Sequence, residues 1–269
     1  MEAPPEESHV VQELGLDVEP GDREWRGEAR VPAGAWAPGT SFPRASVLLT
    51  YADIIAGAQY RALTLPRMSV TVDLSLDVMA PDATELEVDR LLLTSRILRQ
   101  GKRTAVTETS CLLSDGRVVA VCSGSFAMIS STFNALPPRN GPEPSRFERP
   151  LLPVPVEERA GIEVPVPGRA ELALRPGLGN STGSMMGGLT GILGEVAALS
   201  RAQTDGSGPY FADRLLVRYL APVRTGPARA VAVATGGSPA RPVVRVDLRD
   251  DSRPEEMAAD ITVGLTALG

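Results

Sequence analysis

Apolar and polar positions along the chain fall into two similar series. Val47 to Leu63 carries apolar residues at helical spacing, with Asp53 set among Tyr51, Ala52, Ile54 and Ile55. Ser69 to Val78 then alternates like a strand and stops at Ala80-Pro81. Met185 to Leu199 is again helix-like and contains Glu195, and Phe211 to Leu220 is a strand stopping at Ala221-Pro222. Asp53 precedes Glu195 by 142 residues, and Pro81 precedes Pro222 by 141. Two acids and two Ala-Pro strand ends in register predict an internal duplication. In the first series Glu85–Leu98, Thr104–Leu113 and Val118–Ile129 read as strands, with turns at Gln100-Gly101-Lys102 and Asp115-Gly116. In the second, Ala228–Ala234, Val243–Leu248 and Met257–Leu265 do so, around a Gly236-Gly237-Ser238 loop and an Asp250-Asp251 turn. Each half is therefore expected to be a central helix followed by an antiparallel meander, an α+β class. The pattern predicts one long curved sheet, or a pair of sheets, with the two helices side by side.

The second helix contains Gly187, Gly188, Gly191 and Gly194. Each interior glycine costs roughly 1 kcal/mol against alanine, so their number predicts close approach of another part of the chain. Residues 131–160 are Pro-rich and read as a connector. The expected organisation is a polar, loosely held segment at 1–20, a first unit at 21–130, the connector at 131–160 and a second unit at 161–269.

With 269 residues, 43% hydrophobic and 22% charged, the chain can bury a full core. A net charge of -6 argues against a nucleic-acid surface. No apolar run approaches a membrane span, and the acidic start does not read as a signal peptide, so a cytoplasmic protein is expected. Cys111 and Cys122 lie in apolar strand runs and read as small buried hydrophobes. The single histidine, His9, lies in a polar stretch and is expected to be exposed. That leaves little room for chemistry that needs a core histidine, and no His/Cys cluster has metal-ligand spacing.

The second helix carries a longer pattern. Asn180 is followed by Ser-Thr-Gly-Ser-Met and then by Met186-Gly187-Gly188, with Glu195 eight residues after Gly187. In the first half, Thr71 stands 18 residues after Asp53, on the strand that ends at Pro81. This spacing resembles the hotdog thioesterases of the phenylacetate-degradation type. There an Asn is followed after five residues by His-Gly-Gly, with a carboxylate eight residues after the first glycine. Ser or Thr follows the acid by 18 residues. Met186 stands where that family has histidine. The first half departs further, with Pro38 at the Asn place and Arg44-Ala45-Ser46 at the His-Gly-Gly place. At the Thr71 place the second half offers Ala212 or, one residue on, Asp213.

The resemblance implies a double hotdog, each unit an antiparallel sheet wrapped around its helix, with active sites between units. One composite site would hold Asn180 and Gly187 of the second half with Asp53 and Thr71 of the first. The opposite site, around Pro38, Ala45 and Glu195, would lack the amide and the hydroxyl, leaving Glu195 as a remnant. The implied reaction is hydrolysis of an acyl thioester of coenzyme A or of an acyl carrier protein, with no cofactor beyond the substrate's own coenzyme A. Gly187 N–H would bind the oxyanion, Asp53 would act as base or nucleophile, and Thr71 and Asn180 would hold water or substrate. Met186 and Gly188 would line the acyl pocket. Arg99, Lys102 and Arg103, with Arg241, are candidates for nucleotide phosphates or are simply solvated turns. A non-hydrolytic acyl-binding or assembly protein on the same fold is the main alternative, and a hotdog lyase or dehydratase a further one. Strands without edge guards suggest a homo-oligomer of double hotdogs.

Overall fold

The structure, a computed structural model, describes residues 9–132, 151–180, 182–204 and 208–268. Its first half contains β1 (Leu16–Glu19), β2 (Glu24–Arg30), α1 (Ala45–Thr64), β3 (Arg67–Val78), β4 (Arg90–Gln100), β5 (Thr104–Leu112) and β6 (Val118–Thr132). The second contains α2 (Val156–Ala160), β7 (Ile162–Val166), β8 (Arg169–Leu172), α3 (Gly187–Thr204), β9 (Tyr210–Tyr219), β10 (Ala228–Ser238), β11 (Arg241–Asp250) and β12 (Met257–Ala267). All twelve strands form one antiparallel sheet in the order β1-β2-β4-β5-β6-β3-β9-β12-β11-β10-β8-β7. Counted from its two ends, the order is the same once each second-half strand is numbered from β7.

The seam between halves is the β3–β9 pair, with Asp73 opposite Arg218 and Asp77 opposite Arg214. Arg214 Nε donates to Asp77 Oδ1 across it at 2.6 Å. The helices lie on the same side of the sheet. Residues 45–52 of α1 are buried all round its circumference, as expected of a helix enclosed by sheet on one side and a second helix on the other. The glycines of α3 face these neighbours. A Cβ on Gly188 would lie 2.4 Å from Thr50 Oγ1, and one on Gly191 3.4 Å from Leu49 Cδ2. A Cβ on Gly194 would lie 2.6 Å from Ile261 Cδ1 on β12. Close approach thus accounts for Gly188 and Gly194, while Gly191 sits at ordinary contact distance.

Several expectations need correction. The start of the chain is anchored where it is described: Val10, Val11 and Leu14 are buried, and β1 begins ahead of residue 21. Tyr51 Oη donates to Leu14 O at 2.7 Å, and Arg159 on α2 pairs with buried Glu13. The acidic neighbours of these few apolar residues masked their pattern. His9 is half-buried, its Nε2 donating to Gly179 O. Each half also has two strands before its helix, which the meander reading lacked. Gly236, Gly237 and Ser238 extend β10 rather than forming the loop, because backbone pairing with β11 needs no side chain. Residues 133–150, most of the expected connector, lie outside the described residues; Val156–Ala160 is helical.

Gly188→Ala tests the helix contact. Its gain in helix propensity is outweighed by the clash with the short, branched Thr50, and urea unfolding is expected to show a loss of about 1–3 kcal/mol.

Candidate active site

The inward faces of β3 and β9 are set by matching irregularities. Leu74 and Leu76 of β3 point to the core, and simple alternation would turn Thr71 away from it. The pairing of β3 with β6 slips between Thr71 and Asp73, leaving Val72 as the extra residue. Such a bulge reverses the phase of the strand. Thr71 therefore points at α1, and its Oγ1 donates to Asp53 Oδ1 at 2.7 Å. In β9 the slip falls at Asp213. This makes buried Ala212 the counterpart of Thr71, while Asp213 accepts a bond from Thr266.

Asp53 sits midway along α1, half-buried, and burial pushes its carboxyl up to about 6 against the Thr71 bond, which lowers it. Its other oxygen faces the first residue of α3: a Cβ built on Gly187 would lie 2.9 Å from Asp53 Oδ2 and 3.5 Å from Tyr219 Oη. A side chain at 187 would push on the Asp53 carboxylate. The Gly187 N–H opens α3, where no preceding helical carbonyl can accept it, at the positive end of the helix dipole.

A cleft of about 740 Å³ brings Asp53, Thr71, Asn180, Met186 and Gly187 together. A second hollow of about 550 Å³ runs along α1 past Ile54, Ala58 and Phe126 and shares Asp53, Thr71 and Met186 with the first. Gly188 is not at the cleft surface; it packs on Thr50. Arg99, Lys102, Arg103 and Arg241 are exposed on strand ends and line neither hollow. The basic residues on the cleft wall are Arg61 and Arg224. These two and Tyr219 escaped the sequence reading. Tyr219 ends an ordinary-looking apolar strand, and Arg224 follows the Ala-Pro strand end in a loop with no pattern of its own.

Asn180 is exposed, and its Oδ1 accepts bonds from Thr182 and Ser184, including Thr182 N at 2.9 Å. It thus holds the turn that leads into Met185 and α3, in addition to facing the cleft. Asp250 braces the other wall. Although burial alone would raise its pKa, bonds from Ser252 and from the amides of Arg224, Thr225 and Gly226 hold it well below the usual carboxylate range.

The opposite location is closed. Arg44, in the place of Met186, is 2% exposed and pairs with Glu157 of α2. Glu195, 0% exposed, accepts the Ser46 N–H at 2.9 Å with Oε2. Ser46 is the counterpart of Gly188 at the start of the helix. Burial raises the Glu195 pKa although Arg44 and Ser46 pull it down. Arg44 Nε, Ser46 Oγ, Glu157 Oε2 and Glu195 Oε1 are buried without a partner among the described residues. Neither hollow reaches Glu195.

Among the described residues no three His, Cys, Asp or Glu side chains cluster to hold a metal, and no helix is long and apolar enough to cross a membrane. Cys111 and Cys122 are buried thiols, the first pushed up to about 12 by burial.

No protein-family model matches the chain, and no curated protein matches it. Solved structures do. The tesB protein of Mycobacterium avium subs paratuberculosis superposes with a TM-score of 0.63 at 12% identity, covering 97% of this chain and 98% of its own. A protein of unknown function from Alicyclobacillus acidocaldarius, described as having a hot dog fold, gives 0.58 at 14%, covering 97% and 99%. The chain has the hotdog fold. An acyl-ACP thioesterase from Bacteroides thetaiotaomicron gives 0.58 at 13%, covering 94% and 99%.

Arg44→Met is expected to destabilise the protein by about 3–5 kcal/mol in urea unfolding, because it strands Glu157 beside Glu195. Glu195→Gln preserves an acceptor for Ser46 N–H and removes a charge that the fold penalises. The raised folded pKa means that this penalty grows as pH rises above the ordinary carboxylate range. Glu195→Gln should therefore melt no lower than the parent at pH 8.

Proposed function

We propose that the chain is a double hotdog acyl-thioester hydrolase with one working composite site. The carrying observation is that Asp53, held by Thr71 in one half, lies against Gly187, the residue that opens the helix of the other. The sheet order supports the two-unit reading, and the solved thioesterases of the same fold support the reaction class.

In this reading the thioester carbonyl oxygen lies at the Gly187 N–H. Either Asp53 takes a proton from water as the water attacks, or Asp53 attacks and water then resolves the anhydride. In both cases the C–S bond breaks, the carboxylic acid leaves with the oxygen of water, and sulfur leaves as thiol. Loss of charge stabilisation from one backbone donor would cost about 10²–10³ in rate. The two hollows meeting at Asp53 provide one arm for the acyl group and one for the carrier, coenzyme A or carrier protein. The other location does not match it, because Glu195 is buried and tied to the Ser46 amide, the counterpart of Gly188, and Ala212 brings no hydroxyl.

The test is thiol release from a panel of acyl-CoA thioesters. The parent should cleave at least one, with kcat/KM rising with pH and an inflection near 6, where Asp53 loses its proton. Asp53→Asn should lower turnover by about 10²–10⁴. The folded state binds the Asp53 proton more tightly than the unfolded chain, so its charge opposes folding as pH climbs from about 4 to 6. Asp53→Asn should consequently melt as high as the parent or higher at pH 8, which separates lost chemistry from lost fold. Asn180→Ala should cost about tenfold through one lost polar anchor, and Glu195→Gln should stay within a few-fold of the parent. Tight acyl-CoA binding without thiol release from any substrate would replace hydrolysis with an acyl-binding role.

A further inference from the structure

Tyr219 is the last residue of β9, on the same inward face as Leu215 and Val217. It lines the larger cleft, and its hydroxyl donates to the Gly187 carbonyl at 3.0 Å. That carbonyl belongs to the peptide joining Gly187 to Gly188. The peptide is planar and trans, so fixing its oxygen fixes the direction of the Gly188 N–H and the ψ angle of Gly187. The step matters because two consecutive glycines carry little conformational preference of their own. In a helix that begins at Gly187 its carbonyl is also the acceptor for the N–H four residues on, so Tyr219 adds a second donor to the same oxygen. Thr50 packs beneath Gly188 from one side, and Tyr219 grips the same peptide from another.

The distribution of this hydroxyl follows the asymmetry of the two sites. With Val72 and Asp213 as matching bulge residues, Ala212 corresponds to Thr71 and Tyr219 to Val78. Valine has no hydrogen-bonding group, so the closed location around Glu195 has no equivalent brace. There the start of α1 is held by Glu195 itself.

We infer that Tyr219 is a positioning residue for the proposed hydrolysis: its hydroxyl holds the Gly187–Gly188 peptide, and with it the Gly188 N–H and the first turn of α3 beside Asp53. The inference rests on the thioester reading. Burial and the neighbouring Asp53 hold the phenol well above its ordinary pKa, so it remains a neutral donor across the working pH range.

Tyr219→Phe keeps the ring and removes the bond. The expected result is a fall in kcat of about tenfold to 10²-fold, as for a misaimed catalytic group, with KM within twofold and melting unchanged. The inflection near 6 should persist, because Asp53 keeps Thr71. Amide NMR signals of Gly187 and Gly188 should shift in the same variant, measured without substrate. Unmoved amide signals overturn the inference whatever the kinetics, and so does parental kcat with shifted signals. A raised KM at unchanged kcat also overturns it and makes Tyr219 a wall of the cleft. If the parent cleaves no acyl-CoA, the thioester reading and the catalytic consequence fail together, while the amide signals still decide whether the brace exists.

Discussion

The close contact between α1 and α3 controls the site. Gly188 lies against Thr50 at a separation that leaves no room for a Cβ, and Gly191 packs at ordinary contact distance on Leu49 and Ser46. This lets the first turn of α3 reach the middle of α1, where Asp53 projects. A wider crossing would separate the helix-start amide from the carboxylate. Glycine weakens α3 as an isolated helix, yet tertiary contact recovers that cost and shapes the cleft at the same positions.

The sheet supplies the second constraint. The β3–β9 seam makes one continuous surface from both halves, so the two helices share a floor and cannot drift independently. The bulge at Val72 then turns Thr71 inward to meet Asp53. A strand with unbroken alternation would present Leu74, Leu76 and Thr71 on different faces. One extra residue thus allows a strand to pack its apolar side chains and deliver a hydroxyl to the same side.

The two interfaces between halves differ through small covalent differences. Asp53 is short, is held by Thr71 and lines the cleft beside Gly187. Glu195 is one methylene longer, has Ala212 where Thr71 would be, and reaches the amide of Ser46. Arg44 and Glu157 complete the closure. Thus Asp53 lines a cleft while Glu195 is buried against the start of α1.

Much of the fold was legible because periodicity is local. Ser69 to Val78 alternates and lies within β3, and Val47 to Leu63 lies within α1. The repeated spacing of Asp53, Glu195 and the two Ala-Pro strand ends pointed to matched halves, and the spacing of Asn180, Gly187 and Thr71 named residues that share a cleft with Asp53. The β1 and β7 strands were too short and too polar to show a period, and Val10, Val11 and Leu14 were hidden among acids. Tyr219 and Arg224 carried no local signal, since their role arises from neighbours far along the chain. Sequence alone determined the two long helices, the strands that follow each of them and the chemical inventory, because these are properties of nearby residues. Only the tertiary structure decided which way Thr71 faces, which of the two acids lines a cleft and what Tyr219 holds, because these depend on bulge phase and on contacts between halves.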